Sequence, residues 1–149
     1  MSTHVLVPVD GSAAARAALE HACEQFPDGH LTLLYVMDPM ADYSRRRSFP
    51  GYRDDDQHTN EREKGERALE DALEAVPDDI SAETELEGGD PANAIVRYAD
   101  DNDVDQVVIG SHGRESIARF LLGSVAEAVV RRSVAPVTVV RPDETDSSR

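Results

Sequence analysis

Short apolar runs rich in β-branched residues recur along the chain, and a helix-forming stretch stands between each pair. "HVLVPVD" (4–10), "HLTLLYVMD" (30–38), "VDQVVIG" (104–110) and "APVTVVRP" (135–142) read as buried strands. "ISAETELEG" (80–88) alternates instead, which predicts a strand with one wet face at a sheet edge. Between them, "GSAAARAALEHACEQF" (11–26) has helical spacing, with Ser12 as its N-cap and "FPDG" as its stop. "TNEREKGERALEDALEAV" (59–76) is a charged helix with an apolar stripe through Ala68, Leu69, Ala72, Leu73 and Val76. "GDPANAIVRYADDND" starts with Asp90 as N-cap and Pro91 at the first helical position, and "SVAEAVVRRS" is the core of the last helix.

Such alternation constrains the fold strongly. It predicts one α/β domain over 1–142 with an open, five-stranded, doubly wound parallel sheet in the order 3-2-1-4-5 and helices on both faces, Rossmann-like. Residues 39–58 break the pattern with two prolines, Arg45-Arg46-Arg47 and Asp54-Asp55-Asp56, and read as a long variable loop with no assigned binding role. Residues 143–149 read as a disordered polar tail.

Charge narrows the function. Thirty acidic residues oppose fifteen basic ones, a formal net charge of −15, and Lys64 is the single lysine. So acidic a surface repels phosphate backbones, which argues against nucleic acid as a partner. It also implies a fold that salt stabilises by screening self-repulsion, as in proteins of halophilic archaea. No apolar run reaches the about 18 residues that span a bilayer, and no leader is evident, so a soluble, cytoplasmic protein is expected. The single cysteine, Cys23, excludes an internal disulfide and reads as core packing. His4, His21, His30 and His58 are scattered, without metal-ligand spacing.

Open α/β sheets bind ligands beyond the carboxyl ends of their strands, where strand order reverses. Two segments leave such ends, "PVDGS" and "GSHGRESIARFLLGS". In the second, Gly110 and Gly113 can expose backbone N–H groups, and such loops often need positive φ. Gly123-Ser124 opens a helix whose positive end favours an anion. Arg114 and Arg119 add positive charge, and His112 lies inside the loop. Spacing alone leaves two readings open: a phosphate site, or glycines that only permit tight turns. Neither G-x-x-x-x-G-K-[ST] nor G-x-G-x-x-G is present.

The spacing Gly110-x2-Gly113-x9-Gly123-Ser124 resembles the ATP-binding motif of the universal stress protein family, and the resemblance extends over nearly the whole chain. It implies ATP with Mg2+ or Mn2+ as ligand. Asp10 would then stand beside the ribose and the metal-bridged phosphates, with Pro8 and Val9 on the adenine side. Val36 would offer backbone hydrogen bonds to the adenine edge. Ile109 and Gly110 would lie beneath the ribose, while Gly113, Arg114, Gly123, Ser124 and Val125 would wrap the phosphates. The resemblance also implies a homodimer through the last strand, a nucleotide-dependent regulatory or stress-response role, and an unknown regulatory partner. A slow ATPase and an AMP- or cyclic-AMP-binding domain stay open. No general base or nucleophile is evident, so no catalytic residue is assigned.

Overall fold

The computed structural model describes residues 2–38, 54–112 and 122–142. Five strands, β1 (His4–Pro8), β2 (His30–Met37), β3 (Ser81–Gly88), β4 (Gln106–Gly110) and β5 (Val137–Val140), form one sheet in the order β3-β2-β1-β4-β5, and every pair is parallel. This is the expected Rossmann-like order. Among the described residues four helices connect them: α1 (Ala13–Gln25), α2 (Asp54–Ala75), α3 (Pro91–Asp101) and α4 (Ser124–Arg132).

Successive strand residues point to opposite faces, so each apolar run feeds two cores. Val5, Val7, Leu31, Leu33, Tyr35 and Val108 pack under α1 and α2 with Leu19 and Leu69. Leu6, Leu34, Val107 and Ile109 pack under α3 and α4 with Ile95, Ala126 and Val129. Val5, Leu6 and Val7 are wholly buried because β1 is the central strand, covered on both faces. On β3, Ala82 and Leu86 lean on the first core while Glu83 and Glu87 are exposed, which gives the edge strand its wet face.

Caps fall where expected. The Ser12 Oγ accepts from the Ala15 N–H at 3.1 Å, and Asp90 Oδ2 accepts from the Asn93 N–H at 3.1 Å with Pro91 next in line. Two expectations are corrected. Helix α2 begins at Asp54, inside the segment read as a loop, so the aspartate triplet is helical; the rest of that segment, 39–53, lies outside the described residues. An acidic run suits a helix's first turn as well as it suits a loop. The stripe of α2 is also narrower than it reads. Leu69, Ala72 and Val76 are buried, whereas Leu73 is turned outward and is 43 % exposed.

Cys23 is half-buried against the first core. Burial, then the neighbouring Glu20 and Glu24, pushes its thiol above the ordinary range, so it stays a protonated packing group. Among the described residues no helix is long and apolar enough to cross a membrane.

Candidate functional site

The sheet opens at its carboxyl end because β1 and β4 part company there. They are paired only at Val5–Gln106 and Leu6–Val107. Beyond that point each strand stays with its outer neighbour: the Val9 N–H donates to the Leu34 carbonyl at 2.8 Å, and the Ser111 N–H to the Val140 carbonyl at 2.8 Å. The crevice lies between strands leading to opposite faces, where the strand order reverses. It forms a cavity of about 530 Å3, in the range of small-molecule sites.

Nine of the residues singled out from the sequence line this cavity. Pro8, Val9 and Asp10 come from the end of β1, and Val36 from β2. Ile109 and Gly110 come from β4; Gly123, Ser124 and Val125 come from the start of α4. His112 joins them. Gly113 and Arg114, with Arg119, lie outside the described residues.

Asp10 has a structural role as well. Its Oδ1 accepts from the Ser12 N–H at 2.9 Å and so fixes the turn into α1, where Gly11 takes φ +84°. Its second oxygen makes no hydrogen bond with the described residues.

Gly110 and Gly123 act through close approach and not through unusual φ. A Cβ on Gly110 would stand 2.7 Å from the Ala14 carbonyl carbon and 2.8 Å from the Ala15 nitrogen, so this glycine lets α1 rest on the end of β4. Gly123 has φ −65° and ψ 156°, open to any residue, which corrects the expected need for positive φ there. Its constraint is the turn before it. The Gly123 N–H donates to the Ser111 carbonyl at 2.6 Å, and a Cβ would lie 3.0 Å from the His112 Cα.

Among the described residues three helix starts border the cavity, and they are not equivalent. Ser12 caps α1 and Asp90 caps α3, each with its own side chain. Helix α4 has Gly123 at its N-cap and no side-chain cap, so its first N–H groups keep their capacity for a ligand.

The walls near β2 are acidic. Asp38 and Glu61 line the cavity, and Glu61 is 4 % exposed. Its Oε1 accepts from the Tyr35 hydroxyl at 2.9 Å, while Oε2 has no partner. Gly65, one turn on, admits this arrangement, since a Cβ there would lie 2.7 Å from the Tyr35 ring. Sequence reading missed Tyr35, Asp38, Glu61, Pro91 and Ile95 as cavity residues. Glu61 sits among the exposed charges of α2, and only the odd glycine in that helix hints at a close contact.

An open parallel sheet with a cavity at its switch point, bordered by an uncapped helix start, defines a Rossmann-like α/β domain. A profile described as "Universal stress protein family" matches residues 1–141, and the chain belongs to that family. Universal stress protein MJ0531 of Methanocaldococcus jannaschii is 31% identical over 145 residues, covering 92% of this chain and 81% of that protein. The solved structure of MJ0577 from the same organism superposes with a TM-score of 0.80 at 28% identity, covering 96% of this chain and 98% of that one. A universal stress protein crystallised in complex with cAMP gives a TM-score of 0.62 at 26% identity, covering 95% and 98%.

Proposed function

We propose that this chain is a cytoplasmic, nucleotide-dependent regulatory or stress-response module that binds ATP with Mg2+ or Mn2+ across the ends of β1 and β4. The uncapped start of α4, facing the cavity, is the observation that carries this reading. Unpaired N–H groups at a helix's positive end suit phosphate oxygens, and the other two helix starts are already taken. The cAMP complex of a related protein supports an adenine nucleotide. The cavity walls fit a divalent cation accompanying the phosphates. Asp10, Asp38 and Glu61 would repel a bare polyphosphate, and Asp10 retains a carboxylate oxygen that can approach such an ion. When bound, the cation would neutralise phosphate charge. Pro8, Val9 and the Val36 backbone would bind the base, and Ile109 and Gly110 would support the ribose. Gly113, Arg114, Gly123, Ser124 and Val125 would enclose the phosphates. The sequence marks no general base or nucleophile by motif, so turnover is expected to be slow or undetectable.

Calorimetry tests this reading. ATP with Mg2+ should bind at one per chain, more tightly than AMP or cyclic AMP. Asp10→Ala should weaken binding more with the cation than without it. A wild-type protein indifferent to ATP, ADP, AMP and cyclic AMP would refute the proposal; equal affinity for AMP or cyclic AMP would transfer it to those ligands.

The assembly proposed is a homodimer through β5. Among the described residues this strand pairs only with β4, all four of its residues are half-buried, and Val134 just before it is 87 % exposed. An open apolar edge of this kind seeks a second strand, and a two-fold pairing closes it. Light scattering should give twice 16.3 kDa, and Val139→Pro should abolish the dimer. A wild-type monomer at tens of micromolar would exclude it.

A further inference from the structure

At the amino ends of the strands, opposite the cavity, parallel register gathers residues that are far apart in sequence. His4 of β1 pairs with His30 of β2, His30 pairs with Ser81 of β3, and Thr32 pairs with Glu83. All five share one face of the sheet by the two-residue period. The two imidazole rings are 5.6 Å apart between centroids. One donor atom each from His4, His30 and Glu83 lies within 4.8 Å of the other two, although the sequence shows no metal-ligand spacing among its histidines. His30 Nε2 stands 3.2 Å from Glu83 Oε1. Two ligands on a tetrahedral ion, each at about 2.0–2.1 Å, stand about 3.3 Å apart.

The outer nitrogens are anchored away from this point. His4 Nδ1 is 3.1 Å from the Asn102 carbonyl, which can only accept, so Nδ1 carries hydrogen and Nε2 is turned inward. His30 Nδ1 is 2.7 Å from Ser81 Oγ, which leaves its Nε2 facing Glu83. Metal-binding imidazoles are held in this way, one nitrogen fixed by an outer partner and the other presented. Thr32 is wholly buried between them, its Oγ1 2.8 Å from His4 Nε2 and 3.2 Å from Glu83 Oε1. A single hydroxyl hydrogen cannot satisfy both neighbours. If it goes to Glu83, the lone pair of His4 Nε2 is left for a cation. The His30 and Glu83 side chains are 34% and 51% exposed, so an ion can enter from solvent.

We propose that His4, His30 and Glu83 form a binding site for a divalent transition-metal ion, best suited to Zn2+, with water in the remaining position. Two imidazoles and one carboxylate favour zinc over the magnesium or calcium that all-oxygen sites select. The ion would tie β1, β2 and β3 together and stabilise the folded state in proportion to its affinity. This site is independent of the nucleotide reading.

Untagged, metal-stripped, nucleotide-free full chain is titrated with Zn2+ by calorimetry and with Co2+ by visible absorption. We expect one ion per chain, a four-coordinate cobalt spectrum and a higher melting temperature with zinc. His30→Gln and Glu83→Gln should each weaken zinc binding about 100-fold, and Thr32→Val, isosteric and missing only the hydroxyl hydrogen bonds, about tenfold. Both charged-site variants should keep the wild-type circular dichroism and ATP affinity. Absence of stoichiometric zinc binding in the wild type would overturn the proposal. So would binding that survives both His30→Gln and Glu83→Gln, or a zinc signal lost in Asp10→Ala.

Discussion

Gly110→Val is expected to destabilise the protein by about 3 kcal/mol or more, at or beyond the upper end of ordinary overpacking. The new Cβ would meet three atoms of α1 at 2.7–2.8 Å, two of them backbone. A flexible side chain could swing aside, but these atoms belong to the first turn of a helix capped by Ser12 and packed through Ala14, Ala15 and Ala18. Relief therefore requires α1 to move off the sheet. The loss is a large fraction of the about 5–15 kcal/mol that holds a typical domain together. A urea melt should show the midpoint lowered by about 1–3 M. Gly110→Ala should show a smaller shift of the same sign. A Gly110→Val midpoint equal to wild type would mean that α1 does not rest on the end of β4. Because Asp10 and Ser12 form the turn into that helix, the same variant should weaken ligand binding only as a consequence of the displaced helix.

The strands were legible because each apolar run is bounded by glycine, proline or aspartate, and because buried parallel strands need apolar residues on both faces. Asp90-Pro91 marked a helix start by local chemistry alone, and Gly123 marked another. The start of α2 was not legible, since Asp54-Asp55-Asp56 serves a loop and a helix start equally well. The cavity was legible where its residues leave strand ends, as with Pro8, Val9, Asp10 and Ile109. It was illegible where a residue reaches it across the sheet from a charged helix, as Glu61 does. His4, His30 and Glu83 belong to three strands whose relative register no local pattern encodes. Gly110 and Gly123 were found by spacing, yet the reason for each came only from its neighbours.

Gly123→Val is expected to weaken nucleotide binding by about two orders of magnitude while leaving most of the folding stability intact. The backbone there, φ −65° and ψ 156°, accepts valine without strain. The new Cβ would lie 3.0 Å from the His112 Cα, 3.2 Å from the Ser111 carbonyl oxygen and 3.3 Å from the His112 Cβ. These are tight contacts that a shift of a few tenths of an ångström relieves, unlike those at Gly110. That shift would move the start of α4 away from the Ser111–His112 turn and stretch the 2.6 Å hydrogen bond from the Gly123 N–H to Ser111. Small as it is, the displacement re-aims the free N–H groups of Ser124 and Val125 and sets a branched side chain at the cavity wall. Two charge-assisted hydrogen bonds to phosphate, each worth about 1.5–3 kcal/mol, correspond to at least a hundredfold in affinity. Calorimetry with ATP and Mg2+, beside a urea melt, separates the two glycines: Gly110→Val chiefly loses stability, and Gly123→Val chiefly loses affinity. A Gly123→Val protein that binds ATP as the wild type does would sink the phosphate reading of this helix start. It would leave the glycine as a packing residue under His112.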